Sequence, residues 1–205
     1  SESARNKFLE NAESHKQDSP MNVASMFNEL SKSLPNDTII FDDAISNKGT
    51  LNEALKFDKP GSMFGQRGGS IGWGVGAGMG IQLANPDRPV VTIVGDGSAM
   101  MSVQGLWTAV NSKIPVIYVI CNNAMYRVLK LNMQVYKRLQ AGEQNEQSKY
   151  IGMDFPTPFD FSSIAKSFGA YGERVEHVKD IGPAFQRAIA SGGPAVLDMI
   201  VDGSV

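Results

Sequence analysis

The sequence predicts an α/β fold: a doubly wound parallel sheet with helices on both faces, built as a single domain. Three observations carry this. Residues 89–94 and 115–120 form two β-branched apolar runs of the kind buried on both faces of a sheet. A segment of helical periodicity separates them, which calls for a crossover connection and parallel strands. The alternation of strand and helix then continues towards the C-terminus, where strands and helices segregated into blocks would indicate another class.

Taken in order, residues 1–19 are rich in Glu, Lys, Asn and Ser and read as a flexible lead-in or linker, leaving residues 20–205 as the domain. Ser19 and Pro20 look like an N-cap and a first helical residue. Val23, Met26, Phe27 and Leu30 recur at helical spacing, so a helix should run to about residue 34, before Pro35. Residues 38–41 read as a short buried strand running into Asp42 and Asp43, with a short helix at 50–55. The stretch GQRGGSIGWGVGAGMG begins as a loop. From Trp73 it can be helical at about 1 kcal/mol per glycine, provided its neighbours need to approach the backbone closely. Further helices are expected at 102–112, 161–168 and 181–190, a polar loop at 140–158 and a last strand at 195–201.

Composition narrows the function. With 42% hydrophobic and 20% charged residues the chain can bury a core, and a net charge of -2 offers no basic surface for nucleic acid. No apolar run reaches the roughly 18 residues of a membrane-spanning helix. The single cysteine, Cys121, rules out an internal disulfide framework and suits a cytoplasmic setting; at the end of a buried strand it reads as inert. A start at Ser1 and a stop just after a strand read as a piece of a longer polypeptide.

The chemistry concentrates at two strand ends. One apolar run stops at Gly95, Asp96 and Gly97, the other at Cys121, Asn122 and Asn123. Asn123 follows Asp96 by 27 residues, about what a strand, a crossover helix and a second strand consume. Ligands of open parallel sheets bind beyond the carboxyl ends of strands. A carboxylate and an amide oxygen there suit magnesium, which shares its shell with substrate phosphates. Glycines beside Asp96 admit a phosphate to the backbone N–H groups, and a helix start after them favours an anion. A magnesium-bridged diphosphate is the expected ligand.

The segment GDGSAMMSVQGLWTAVNSKIPVIYVICNN resembles the signature of thiamine diphosphate-dependent enzymes, GDG followed by NN. GGSIGWGVGAGMGIQLANPDRP before it and NNAMY after it extend the likeness from about residue 38 to the C-terminus, towards the benzoylformate decarboxylase and acetolactate synthase branches. The resemblance implies that Asp96, Asn123 and the backbone carbonyl of Met125 hold Mg2+, with Gly95 in the motif. It implies that Gly97 and Ser98 offer N–H groups and a hydroxyl to the diphosphate, and that Ser46 helps hold the terminal phosphate. The Gly69 carbonyl would accept a hydrogen bond from the 4′-amino group. Ile71 would be the wedge that bends the cofactor into a V and brings the 4′-nitrogen to the thiazolium C2. Tyr126 is a candidate contact to cofactor or substrate.

Two residues depart from the family pattern. Arg127 stands where relatives carry glycine, and Arg67 where they carry a small residue; each suits a substrate carboxylate or a surface acid. The family's catalytic glutamate lies on a separate pyrimidine-binding domain, and nothing here corresponds to it. The resemblance therefore implies half of an active site, completed by a pyrimidine-binding domain or chain, with a small 2-keto acid as substrate and a homodimer or homotetramer as the intact assembly. Decarboxylation to an aldehyde and carboligation in the manner of acetolactate synthase both fit, with decarboxylation preferred. Two rivals remain: a nicotinamide dehydrogenase, from Gly72, Gly74, Ala77 and Asp96 at loose dinucleotide spacing, and a non-catalytic module of the same fold.

Overall fold

A computed structural model of the chain describes residues 2–65, 68–141 and 150–204. Six strands form one sheet in the order β2-β1-β3-β4-β6-β5. They are β1 (Ile39–Asp43), β2 (Met63–Gly65), β3 (Val90–Gly95), β4 (Ile117–Asn122), β5 (Tyr171–Val175) and β6 (Ala195–Ile200). Every pairing is parallel. In-plane hydrogen bonding thus satisfies the backbone while both faces stay free for apolar side chains.

The period of two along each strand sorts these side chains. Ile40, Val91, Ile93, Val119 and Leu197 face a layer made of α1 (Glu2–Ser14), α2 (Val23–Ser33), α3 (Lys48–Ala54) and α9 (Ile181–Ala190). Ile39, Val90, Val94, Tyr118 and Val196 face α4 (Gly74–Ala84), α6 (Gly105–Asn111) and α8 (Phe161–Ser167). Two glycines of α4 fulfil the expected purpose: a methyl would lie 2.2 Å from Thr92 Oγ1 at Gly78 and 2.7 Å from Val94 Cγ2 at Gly74, so the helix sits directly on β3, whereas Gly76 and Gly80 meet nothing within 4 Å.

Four readings change. The segment read as a lead-in is largely helix α1, which buries Phe8 and Ala12 and sends Arg5 to cap the carbonyls of Glu53 and Ala54 at the end of α3. Its few apolar residues hid it. The cap of α2 is Asn22, whose side chain accepts from Ala24 N and Ser25 N, because Met21 is still extended and pairs with Val201. The helix expected at 102–112 is the shorter α6, preceded by a separate helix α5 (Asp96–Ser102) and a turn at 103–104, with Gly105, at the start of α6, packed on Val75. Finally, α7 (Arg127–Tyr136), β2 and β5 had no counterpart in the sequence reading.

Candidate functional site

In this strand order the chain reverses between β1 and β3, the switch point at which open sheets bind ligands. A cleft opens there, beyond the carboxyl ends of β1, β3 and β4. Its lining brings together Ser46, Ile71, Gly95, Asp96, Gly97, Ser98, Asn123, Met125 and Tyr126. Of the predicted residues only Gly69 stands off from that lining, on an exposed turn where it and Gly68 adopt positive φ. Arg67 lies outside the described residues, as do residues 142–149 of the loop expected at 140–158.

The central pair is adjacent. β3 and β4 are neighbours in register, Gly95 opposite Cys121, so the next residues emerge at one edge. The main-chain N–H of Asn123 donates to Asp96 Oδ2 at 3.1 Å, and Gly97 N–H donates to Oδ1 at 2.7 Å. Asp96 is buried, and burial raises its carboxyl to about pKa 6 against the pull of the backbone hydrogen bonds from Gly97, Ala124, Asn123 and Met125. A buried carboxylate without a cationic partner is costly and is relieved by a metal ion.

The loop after β4 completes the donor set. Ala124 takes a positive φ of 57°, and the Met125 N–H turns back to Asn123 Oδ1 at 3.2 Å. Met125 pairs with Asp154 in an antiparallel bridge that uses the Ala124 carbonyl and the Tyr126 N–H, which leaves the Met125 carbonyl outside the ladder. Among the described residues no cluster of three or more His, Cys, Asp or Glu is placed to hold a metal. One carboxylate, an amide oxygen and a carbonyl fit magnesium as a shared ion, with the rest of its shell left to phosphate and water.

Around this pair the cleft is shaped for close backbone approach. Gly97 lies under the Tyr126 ring, and a methyl there would be 2.3 Å from Cε1. The α5 helix, expected to start after Ser98, begins at Asp96 and has only seven residues, so an anion placed there would meet its first-turn N–H groups more than a long helix dipole. Ser46 lies in a 3-10 turn just after β1. Cys121 is fully buried and its thiol is pushed up to about 12 by burial, which keeps it inert. Arg127 lines the cleft mouth but spends its Nε–H on the Ser204 carbonyl at 3.0 Å.

One residue escaped the sequence reading. Asp43, the last residue of β1, is buried; its Oδ2 accepts the Ser98 hydroxyl at 2.5 Å and the Gly74 N–H at 2.8 Å. Burial raises its carboxyl above the usual range, opposed by the hydrogen bonds from Ser98 and Gly74. The only sequence signal was an acid at the ligand end of a buried strand.

With this geometry in place, comparison with known proteins decides the family. Residues 43–199 match the model of the thiamine pyrophosphate enzyme, C-terminal TPP binding domain. The chain belongs to that family. It is 35% identical over 164 residues to sulfoacetaldehyde acetyltransferase of Alcaligenes xylosoxydans xylosoxydans, covering 78% of this chain and 25% of the relative. It is 27% identical over 180 residues to benzoylformate decarboxylase of Pseudomonas aeruginosa, covering 88% and 32%. The solved thiamine diphosphate-dependent 4-hydroxybenzoylformate decarboxylase of Rhodococcus jostii RHA1 superposes with a TM-score of 0.79 at 31% identity, over 89% of this chain and 33% of that one. The chain thus spans about a quarter to a third of the proteins it resembles. As a TPP-binding domain it has the parallel α/β sheet of its structural neighbours. Among the described residues no helix is long and apolar enough to cross a membrane.

Proposed function

We propose that this domain grips the diphosphate of thiamine diphosphate through magnesium and serves as the cofactor-binding half of a 2-keto acid decarboxylase. The observation that carries the reading is the meeting of Asp96 and Asn123 at neighbouring strand ends, 27 residues apart in sequence and joined by a hydrogen bond. Asp96, Asn123 Oδ1 and the Met125 carbonyl hold the ion. The N–H groups of Gly97 and Ser98, with Ser46 across the cleft, receive the phosphates. Ile71, at the cleft wall, supports the bend between the cofactor's rings, and Gly69 offers its carbonyl to the 4′-amino group. When bound, thiamine diphosphate stabilises the carbanion left by cleavage next to a carbonyl. This chain's part is binding, orientation and exclusion of water.

The other half is a pyrimidine-binding domain bearing the catalytic glutamate, within a homodimer or homotetramer in the cytoplasm. Two features support a covering partner. The relatives are about three times as long as this chain. Apolar side chains also crowd two exposed faces: Phe64, Trp73 and Leu83 by α4, and Leu129, Val135 and Tyr136 on α7, which buries none of its residues.

A second reading, transfer of the same acyl unit to an acceptor, is favoured by the 35% identity to an acetyltransferase. The test uses the full-length protein. Calorimetry should detect thiamine diphosphate binding with Mg2+ and none with chelator. Release of carbon dioxide and free aldehyde from 2-keto acids without an acceptor supports the decarboxylase; turnover only with a second carbonyl compound or other acceptor moves the assignment to transferase. Binding without turnover under any of these conditions leaves a non-catalytic module.

A further inference from the structure

We propose that Asp43 is a positioning residue that locks the glycine turn carrying Ile71 onto helix α5 through a relay of hydrogen bonds, Asp43 to Ser98 to Gly72. The cofactor-facing part of the inference rests on the function proposed above; the relay itself does not.

The relay joins three pieces of chain far apart in sequence. Ser98 has one hydroxyl hydrogen, and it goes to Asp43 Oδ2, 55 residues away. The Ser98 oxygen in turn accepts the Gly72 N–H at 2.7 Å. One turn along α5, Ser102 donates to the Gly72 carbonyl at 2.8 Å. Both polar groups of Gly72 are therefore held by α5, while Gly74, two residues on, is held by Asp43 directly at 2.8 Å.

Steric fit closes the same joint. Gly72 has φ +98°, and a methyl there would lie 2.8 Å from Met101 Cβ. At Gly74 a methyl would fall 2.7 Å from Val94 Cγ2 and 3.1 Å from Asp43 Oδ2. The turn thus has no slack against β1, β3 or α5, and Ile71, the residue before Gly72, is carried at a height that the relay sets.

The carboxylate is suited to this task in a way an apolar residue is not. It sits at the end of β1, anchored in register opposite Val94, and is 1% exposed. One of its oxygens takes both donors, while Oδ1 has no hydrogen-bond partner and is buried. An amide in the same place can present its oxygen to the same two donors. Alanine cannot.

The relay also changes what Ser98 does. Its hydroxyl hydrogen is committed to Asp43, so its contribution to an incoming phosphate is the main-chain N–H. The hydroxyl couples the diphosphate helix to the turn that supports the rings. Asp43, itself part of the cleft lining, thus acts on the ring half of the site through Gly72 and Gly74. Its bond to the Ser98 hydroxyl leaves the main-chain N–H groups of Gly97 and Ser98 to the phosphate half.

The test has two arms. In the first, amide hydrogen exchange is measured on the ligand-free chain. Ser98→Ala and Asp43→Ala should each speed exchange at Gly72 by about tenfold or more, the loss of one buried hydrogen bond. Asp43→Asn should stay near the parent rate. Unchanged Gly72 exchange in Ser98→Ala overturns the relay.

In the second arm, calorimetry with Mg2+ compares pyrophosphate, which reports the diphosphate half alone, with thiamine diphosphate. Asp43→Ala should bind pyrophosphate as the parent does and thiamine diphosphate about tenfold more weakly, with Asp43→Asn restoring it. Equal losses for both ligands, or a loss for neither, overturn the positioning role. A parent chain that takes up neither ligand overturns the cofactor reading and with it this second arm, while the exchange data still decide the relay.

Discussion

The main-chain N–H of Asn123 donates to the carboxylate of Asp96 at 3.1 Å, across the seam between two parallel strands. That bond fixes the spacing of the side chain and the loop proposed above to share a metal ion. It also supplies part of the solvation that burial takes from Asp96, a partial substitute for the cation. The site is therefore sensitive to substitutions on either side of that seam.

Asp96→Ala should abolish Mg2+-dependent binding of thiamine diphosphate, because the ion would lose the one charged ligand proposed for it in this chain. Calorimetry of the full-length protein with saturating Mg2+ should show no heat for the variant. Fold stability should fall little, since a buried carboxylate that lacks a cation is itself a burden near neutral pH. Unchanged affinity would remove Asp96 from the metal site.

Gly97→Ala tests the contact with Tyr126. The added methyl would lie 2.3 Å from Cε1 and 2.7 Å from Cδ1 of that ring. The ring is not free to retreat: its edge packs on Phe155 at a centroid distance of 4.8 Å, and the residue's main-chain N–H is tied to the Met153 carbonyl. Overpacking of this kind costs about 1–3 kcal/mol. Urea denaturation should register that loss, and it should largely vanish when Gly97→Ala is made in a Tyr126→Ala background. Additive effects would show that the clash is relieved elsewhere.

Much of this site was legible in the sequence because its parts are local. β3 and β4 are apolar runs that end abruptly in polar residues, and that contrast marks both a buried strand and its ligand end. Helix α9 was predicted with the bounds it has, Ile181–Ala190, since its apolar residues repeat at helical spacing without interruption. The rest depends on pairing. β2 has three residues, and β5 carries Gly172, Glu173 and Arg174 as an edge strand. Neither shows an apolar run. α7 buries none of its residues in this chain, although its apolar residues do repeat at helical spacing, a signal the sequence reading passed over. The role of Asp43 needs the register of β1 against β3 and a partner 55 residues away, which no local pattern encodes.

Stability should fall as pH rises from the acid side, and Asp198 identifies part of the cause. It is buried in β6, where Oδ1 accepts from Asn122 Nδ2 at 2.9 Å and Oδ2 from Phe161 N at 3.1 Å. Burial raises its carboxyl from 3.8 to about 6, against the pull of those two hydrogen bonds. A carboxyl whose folded pKa exceeds its unfolded value holds its proton more tightly in the fold. Its stabilising contribution is complete below the unfolded value of 3.8 and is lost as pH climbs through about 6. The loss is about 3 kcal/mol, because a tenfold difference in proton affinity is worth about 1.4 kcal/mol. Asp198→Asn removes the titration. The stability of the parent relative to the variant should therefore drop by about that amount between about pH 4 and pH 7, and stay level above. Urea midpoints measured across this range decide it; a constant difference would mean that Asp198 stays ionised throughout.

Gly203→Ala should weaken metal binding from outside the cleft. The segment after β6 is held on both sides of Gly203: Asp202 N–H donates to the Met21 carbonyl at 2.9 Å, and the Ser204 carbonyl accepts from Arg127 Nε at 3.0 Å. Between these anchors, a methyl on residue 203 would lie 2.7 Å from the Asn123 carbonyl oxygen and 2.7 Å from Met125 Cε. The thioether can swing aside, but the carbonyl belongs to the backbone of the ligand loop and cannot. The strain therefore falls on the segment from Asn123 to Met125, two of whose oxygens are assigned to the ion. The Mg2+ concentration that half-saturates thiamine diphosphate binding should rise by about tenfold. Met125→Ala, which clears only the side chain, should not restore it. A variant with normal Mg2+ demand and a lower urea midpoint would show that the strain is absorbed by the tail, with the ligand loop unmoved.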